Sequence, residues 1–288
     1  MRRLPTATTL LLLATAASAA PLDLYDWMGP APIVVVAEVV TSDSRFVELR
    51  VERVLRGGLE PGSVIQVDLR DANRDREAGT AGLDLEDDRR YLVLLQPSTE
   101  RRAVKAGAFA LTRGTAGARP VPLETGAALE TAAVRLAEIQ NRKDLDAAWK
   151  AMSGLLLDPN PFLSETALDQ HLKFRRGDPT LLAPARTLLS SPAPAVRSRA
   201  AALAALVLAR GGVPEDTEAA TVADLTAAAR RDPDPAVREA ATTALGASVR
   251  DEVVELLRAI ARDDPDQRVR YAAVRVLFER SVRGERAD

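Results

Sequence analysis

Cysteine is absent from the 288 residues of this sequence, and aromatic residues make up only 3% of it. Without a thiol, the chain forms no disulfide bond, no zinc–thiolate centre and no cysteine-based nucleophile. Because aromatic residues are scarce, the core must consist mainly of Leu, Val and Ala. Such residues are plentiful, since 47% of the sequence is hydrophobic, and 288 residues are enough for two domains.

An excess of charge of one sign is also missing. The sequence holds 39 Lys and Arg residues against 41 Asp and Glu residues, which gives a formal net charge of −2. Proteins that bind nucleic acid mainly by neutralising phosphates carry a clear excess of positive charge. We therefore expect no nucleic-acid partner.

Histidine is nearly absent as well, since His171 is the only one. The sequence offers it no identified Ser, Cys or metal partner, so we expect a structural or surface role for this side chain. Phosphate-binding, dinucleotide-binding, nucleophile-elbow and metalloprotease motifs do not occur. We therefore predict a protein without catalytic residues and without a cofactor.

The first twenty residues have the composition of an export signal. Arg2 and Arg3 form a charged start, an apolar run around 10–14 follows, and Ala17-Ser18-Ala19 is a cleavage site of the A-x-A type. Cleavage after Ala19 predicts a periplasmic or secreted protein. A retained anchor is the less favoured alternative, because the apolar run is too short to span a bilayer, and we expect no later membrane span.

Related segments recur in the C-terminal half of the sequence. The best copies begin with Asp-Pro and continue with a Val-Arg pair and an Ala-Ala pair, whereas the first copy has Ser164 in the place of Arg. The Val position, taken by Leu in the first copy, falls at 163, 196, 237 and 269, a spacing of 33, 41 and 32 residues. This spacing is typical of helical repeats. The copies are Asp158–Ala167, Ser191–Ala201, Asp232–Leu245 and Asp264–Leu277.

Each copy is preceded by an apolar segment with helical periodicity. Proline ends that helix, and the next helix starts a few residues later because proline is tolerated in a first turn and Asp or Ser can cap it. A single helix pair cannot bury its apolar faces, but stacked pairs can. The sequence therefore predicts about four helix pairs, whose first helices contain Leu145–Leu157, Leu181–Leu189, Val222–Ala229 and Val253–Ile260.

The pattern Asp-Pro-x-x-x-Val-Arg-x-x-Ala-Ala-x-x-x-Leu resembles the short HEAT-like repeats of bacterial proteins, including those named for phycobilisome lyases. The resemblance covers roughly residues 144–283. It implies an α-solenoid whose second helices line one surface, and it implies that the Arg after Val supports the turn between repeats. By this carry-over Arg197, Arg238 and Arg270 are structural residues, and Ser164 departs from the pattern.

The N-terminal part instead has the period of two and the β-branched residues of strands. Ile33–Val40 is nearly continuously apolar, as in a strand buried on both faces, whereas in the next strand Val47, Leu49 and Val51 alternate with charged residues. Five or six short strands predict a small antiparallel β-barrel or sandwich. The further predicted strands are the one through Ile65, Val67 and Leu69, then Tyr91–Leu95, Phe109–Thr112 and Val121–Leu123.

The strand sequences over roughly residues 30–123 are similar to netrin-like barrels of the OB type found in exported bacterial proteins. Netrin-type modules that inhibit metalloproteinases use an N-terminal cysteine and disulfides. This sequence has neither, so inhibition by that route does not carry over.

A polar stretch, Asp71–Arg90, separates two of the predicted strands. It opens with Asp71, Asn73 and Asp75, whose alternating oxygens resemble the start of a calcium-binding loop. The match then fails, because Arg76 stands where the turn glycine belongs. A solvated loop is the favoured interpretation, and a weak calcium site is the alternative.

The domain organisation predicted from these features is α+β with several parts. A signal peptide covers 1–19 and a small antiparallel β-barrel of the OB or netrin-like type covers 20–123. A linking or capping helix over 126–142 lies within 124–143, and a HEAT-like α-solenoid of about four helix pairs covers 144–288.

These features predict an exported, non-catalytic interaction or scaffold protein that binds a protein partner of unknown identity through the solenoid. The alternative is a HEAT-like lyase-type enzyme or a chromophore-binding protein, and the oligomeric state stays open. The longest interval between repeats holds Gly211–Glu218, which we interpret as an inserted loop. The predicted contact residues are Arg199, Arg238, Glu239, Tyr271 and Arg275.

Overall fold

The structure is a computed structural model, which describes residues 23–43, 45–70, 85–99 and 107–282. The predicted signal peptide lies outside the described residues, and so do the three calcium-loop residues Asp71, Asn73 and Asp75.

A short helix precedes the β-rich part of the chain. Asp23 caps this helix by accepting a hydrogen bond from the backbone N–H of Tyr25 at 2.9 Å. The elements of this part are α1 (Leu24–Met28), β1 (Ile33–Ser42), β2 (Phe46–Arg56), β3 (Val64–Asp68), β4 (Arg90–Pro97), β5 (Phe109–Leu111) and β6 (Ala118–Pro120).

The strands close into a five-stranded barrel. The hydrogen-bonded order is β1-β2-β3-β5-β4, and β4 pairs back with β1 through residues 90–95. The short β6 pairs with β4 as well, beyond the stretch that pairs with β5. The sequence predicted an antiparallel barrel, and one pair of strands differs from that prediction. Strands β3 and β5 run parallel, whereas the other pairs are antiparallel.

The sixth strand lies three residues earlier than predicted. Ala118–Pro120 forms β6, and the predicted strand Val121–Leu123 is loop, with Leu123 fully exposed. The reason is local: Val121 still donates to the carbonyl of Arg90 at 2.9 Å, but Pro122 has no N–H to continue the ladder.

Strand β1 is buried on both faces, as its continuous apolar sequence predicts. Val35, Ala37 and Val39 belong to the barrel interior, whereas Val34 and Val36 belong to a second apolar cluster outside the barrel. That second cluster includes residues of α1 and apolar residues of the C-terminal helices, as far along the chain as Val276. The barrel wall therefore takes part in the same core as the helices.

The rest of the chain is helical. The helices are α2 (Gly126–Gln140), α3 (Leu145–Ser153), α4 (Pro161–Lys173), α5 (Leu182–Leu188), α6 (Pro194–Arg210), α7 (Glu215–Arg231), α8 (Pro235–Leu245), α9 (Asp251–Asp263) and α10 (Gln267–Val282). They form the predicted helix pairs α3/α4, α5/α6, α7/α8 and α9/α10. The second helices α4, α6, α8 and α10 pack on one another in succession. Among the described residues no helix is long and apolar enough to cross a membrane.

Helix α2 lies where the barrel meets the first helix pair. It contacts α1 and β2 on one side and α3 and α4 on the other. Arg90 of β4 donates to Glu130 of α2 at 2.7 Å, and Asn160, which caps α4, donates to the carbonyl of Ala128 at 2.7 Å. The helix predicted here thus both joins the barrel to the first pair and covers that end of the helical stack.

Candidate functional site on the second helices

An arginine–aspartate bridge joins consecutive repeats. Arg197 of α6 binds both carboxylate oxygens of Asp232 at 2.7 Å, and Arg238 of α8 binds those of Asp264 at 3.0 and 3.1 Å. These side chains are buried or nearly so, and in both bridges the arginine also donates to backbone carbonyls of its own turn. Each bridge therefore fixes one second helix to the following Asp-Pro turn.

The bridge corrects one predicted contact residue. Arg238 is only 9% exposed and its guanidinium is bound to Asp264, so it does not lie on a surface open to a partner. The structural role that the repeat pattern implies for Arg238 agrees with this position. Glu239, the next residue, points in another direction because neighbouring residues are about 100° apart around a helix.

The Asp-Pro-Asp turns use both of their aspartates. The first aspartate, Asp232 or Asp264, also accepts a hydrogen bond from the N–H two residues later, at 3.0 or 2.9 Å. Asp234 accepts from the N–H of Ala236 at 2.8 Å and so caps α8. This local chemistry fixes the place at which α8 and α10 start.

Two departures of the sequence from the repeat pattern, Ser164 and Ser191, belong to one junction. By the register of the bridges, the residue on α4 that would bind the next turn is Ser164, and the turn residue that would receive it is Ser191. At this junction serine therefore replaces both the arginine and the aspartate of the bridge. At the preceding junction Arg135 of α2 forms an ion pair with Asp158, which places α2 in the role of a preceding second helix.

A shallow groove runs along the second-helix surface between α6 and α8. Its volume is about 420 Å³. Two of the predicted contact residues, Arg199 and Glu239, lie on its borders, and small side chains line the rest. The lining residues are Ser198, Arg199, Ala202, Ala205, Ala236, Glu239, Ala240, Thr243 and Ala244. The alanines were not among the predicted contact residues, although their recurrence at helical spacing was visible in the sequence.

Arg199 is not a free cation on this surface. It donates to Asp169 at 2.7 Å and to Glu165 at 2.8 Å, both on α4. Its side chain is 23% exposed. Arg199 therefore ties α6 to α4 and presents to the groove a charge that two carboxylates already balance, whereas Glu239 remains half-buried at the opposite border.

The remaining two predicted contact residues lie on α10. Arg275 donates to Thr243 Oγ1 of α8 at 3.2 Å, which joins the last two second helices. Tyr271 is 70% exposed and occupies the repeat position held by Glu239 in α8. All five predicted contact residues thus lie on second helices, but Arg238 is buried in its bridge. Of the other four, Arg199 and Glu239 lie at the groove, and Tyr271 and Arg275 lie on α10.

The longest interval between repeats is only partly a loop. Gly211 and Gly212 have φ of 73° and 74°, which glycine adopts without strain, and the chain then enters α7 at Glu215. The predicted loop Gly211–Glu218 therefore ends in the first turn of a helix, where Glu215, Asp216 and Glu218 favour helix formation electrostatically. Glu218 also lies 3.2 Å from Ser248 Oγ, across the next repeat junction.

His171 is buried in the first helix pair. It is 2% exposed, its ring centroid lies 5.3 Å from that of Trp149, and its Nε2 lies 3.2 Å from Ser153 Oγ. The Ser153 hydroxyl donates to the carbonyl of Trp149 at 2.9 Å. A cavity of about 570 Å³ lies beside these residues, and Lys150, Arg176 and Arg210 contribute to its lining.

The Ser153–His171 pair does not have the arrangement of an activated nucleophile. Burial, with the charge of Arg176 adding to it, lowers the pKa of His171 to about 4. Nδ1 is buried and has no hydrogen-bond partner, so no carboxylate orients the ring. The serine proton is already held by a backbone carbonyl. The pair is therefore a packed polar cluster, in keeping with the structural role expected for His171. Within the part of the chain that the structure describes, no group of three His, Cys, Asp or Glu side chains is placed to hold a metal ion.

Residues 199–277 match the family model for HEAT repeats. The match begins in α6 and ends in α10, so it contains the Arg238–Asp264 bridge and every lining residue of the groove except Ser198. The first helix pair and the barrel lie outside it. A search of curated protein sequences found no match.

Proposed function

We propose that this protein is an exported, non-catalytic interaction or scaffold protein, which holds a protein partner against its second-helix surface. The observation that carries the proposal is the groove between α6 and α8, whose lining residues all lie in the segment matched by HEAT repeats except Ser198. Stacked helix repeats of this kind create extended surfaces that bind other macromolecules.

The chemistry of the groove suits a polypeptide. Alanines on both helices let a partner backbone or helix approach closely, while Glu239, Ser198 and Thr243 supply hydrogen-bonding groups at the borders. Such a surface is shallow rather than enclosed, and protein partners use surfaces of this shape more than small ligands do. The Ser153–His171 cluster supports the non-catalytic part of the proposal because it holds no oriented base.

The finer resemblances are part of this proposal. The closed five-stranded barrel supports an OB-type or netrin-like module, an architecture that often carries a binding face. The repeat pattern supports HEAT-like units of the type named for phycobilisome lyases. The alternative, a lyase-type or chromophore-binding protein, has no support from the described site. Export is tested by expressing the full sequence in a bacterial host and determining the N-terminal residue of the protein recovered outside the cytoplasm. That residue should be Ala20.

The binding proposal is tested with two matched double variants. Ala202→Glu with Thr243→Glu places two carboxylates in the groove, whereas Ala183→Glu with Thr187→Glu makes the same change at exposed positions of α5. In both pairs the threonine donates to the carbonyl four residues earlier, and both variants lose that bond. Thr243 also accepts a hydrogen bond from Arg275, and the carboxylate of Thr243→Glu can accept it in its place. Both variants should keep the helical circular dichroism of the wild type.

Immobilised wild type and variants are exposed to envelope and secreted fractions, and retained proteins are identified by mass spectrometry. We expect the groove variant to lose a protein that the wild type and the α5 variant both retain. Equal retention by all three proteins would remove the groove from consideration, and loss on the α5 variant alone would move the binding surface to the first helices.

A further inference from the structure

The last second helix carries an apolar stripe that nothing covers in the described part of the chain. Tyr271 and Val282 are each 70% exposed, Phe278 is 68% exposed and Val274 is 52% exposed. The four side chains recur every three or four residues, so they lie along one face of α10. A stripe of four large apolar side chains on an outer helix is typical of an interaction site.

The repeat register shows which way the stripe faces. The positions equivalent to Val274 are Ala201 in α6 and Thr242 in α8, and both are fully buried. The position equivalent to Phe278 is Gly246, where an added Cβ would meet Val276 of α10 at 2.7 Å. In the earlier repeats these positions therefore face the following second helix. The stripe is the stacking face of α10, continuous with the α6–α8–α10 interface.

The stripe differs from the equivalent positions of the earlier repeats, since valine and phenylalanine replace the small or polar residues found there. By contrast α9, the other helix of the last pair, carries the exposed ion pair between Arg258 and Glu255 at 2.7 Å.

The order of residues along the stripe is self-complementary. In an antiparallel pair of α10 helices related by a two-fold axis near residues 276–277, Tyr271 meets Val282 of the second copy and Val274 meets its Phe278. The same axis places Arg275 beside Glu279 of the second copy. Both charged side chains are about half exposed and lie 3.9 Å apart within one chain. A two-fold interface requires this kind of pairing, in which residue i meets j and j meets i.

We propose that the α10 stripe binds a second copy of this chain, with the two α10 helices packed antiparallel. The interaction is separate from the groove between α6 and α8 and does not rest on the proposed function. It assigns Tyr271 and Arg275 to the contact between copies. One helix face buries less than the roughly 800 Å² per partner of a standard interface, so we expect a dissociation constant on the order of micromolar.

Sedimentation velocity of the purified full chain over a concentration series tests the proposal. The wild type should change from monomer to dimer, and Phe278→Asp should weaken dimerisation at least about tenfold. Leu123→Asp, a change at a fully exposed apolar residue outside the helices, should leave dimerisation unchanged. A wild type that stays monomeric at every concentration would overturn the proposal and leave the stripe to a foreign partner. Equal weakening by both variants would also overturn it.

A charge exchange tests the antiparallel geometry. Arg275→Glu places two carboxylates of one chain opposite two of the other, and Glu279→Arg does the same with two cations. Each variant alone should be monomeric where the wild type is dimeric, and an equimolar mixture should form dimers again. Failure of the mixture to associate would contradict the antiparallel pairing, while a far-ultraviolet spectrum like that of the wild type would show that both variants are folded.

Discussion

The Arg–Asp bridges show how single residues hold the repeats together. Arg238 and Asp264 are both nearly buried, and Asp264 cannot be solvated well if its cation is removed. We expect Arg238→Leu to lower the free energy of unfolding by about 2–4 kcal/mol in urea denaturation. Arg268→Leu, which removes a 63% exposed side chain from Asp266, should lower the free energy of unfolding much less. Equal losses would show that the bridge adds nothing beyond a surface ion pair.

His171 predicts a dependence of stability on pH. The unfolded side chain takes up a proton near pH 6.5, whereas burial lowers the pKa of His171 in the folded protein to about 4. Between these values the unfolded state binds more protons, so the free energy of unfolding should fall as the pH falls from about 6.5 to about 4. Below that range the contribution of this residue is fully lost.

Replacement of the histidine isolates this effect. His171→Gln should remove most of the slope between pH 6.5 and 5 when urea denaturation is measured at several pH values. Asp232 has its pKa lowered by the hydrogen bond from Arg197, so its contribution is lost only at still lower pH, in both proteins. An unchanged slope in the variant would assign the pH dependence to other groups.

At the scale of single residues, the sequence predicted the structural role of the repeat arginines better than it predicted the contact residues. A Val-Arg pair in every repeat indicated a structural role, and the bridges of Arg197 and Arg238 show one. The burial of Arg238 depends on Asp264, which the next repeat supplies 26 residues later. A pattern within one repeat therefore could not exclude Arg238 as a contact residue.

At the scale of elements, the close approach of second helices depends on small residues. Gly246 follows α8 with a φ of −64°, so it is not needed for its backbone conformation. A Cβ there would lie 2.7 Å from Val276 Cγ1. We expect Gly246→Ala to lower the free energy of unfolding by about 1–3 kcal/mol through overpacking. In a Val276→Ala background the same change should cost much less, and an additive double variant would contradict this contact.

The elements show where sequence patterns succeed and where they fail. Proline and Asp capping are local, so the starts of the second helices follow from the Asp-Pro motifs. The start of α7 does not follow from a sequence motif. Two glycines suggested a loop as far as Glu218, but the helix already begins at Glu215. The sequence also misplaced strand β6. Its three residues pair with a free edge of β4, and the position of that edge cannot be read from the apolar sequence of Val121–Leu123.

At the scale of the molecule, the barrel and the helices are joined through α1. Arg56 of β2 donates to the carbonyls of Met28 at 3.1 Å and Ala31 at 3.0 Å, and it also hydrogen-bonds Gln140 of α2. Lys173 of α4 forms an ion pair with Asp26 at 2.6 Å. The sequence suggested a barrel beside a solenoid joined by a linking helix. The shared core was not predicted, because it depends on α1, a five-residue helix with no period of its own.

Trp27 packs in the apolar core that joins the barrel to the helices. It is fully buried in the cluster shared by barrel and helices, and its indole N–H donates to the carbonyl of Ala116 at 2.6 Å. The chain has two tryptophans, so any variant at position 27 leaves Trp149 of α3 as a single fluorescent reporter of the first helix pair. This allows the effect of a change in α1 to be measured inside the helical part.

We expect Trp27→Ala to lower the free energy of unfolding by about 3–5 kcal/mol, since it leaves a cavity between barrel and helices. The matched control is Trp27→Phe, which keeps the same single reporter and most of the packing. If the junction is one cooperative core, the Trp149 transition in urea shifts to lower denaturant in Trp27→Ala relative to Trp27→Phe. If the Trp149 midpoints of the two variants coincide, the helical stack is stable without support from α1, and the shared core contributes only to the barrel.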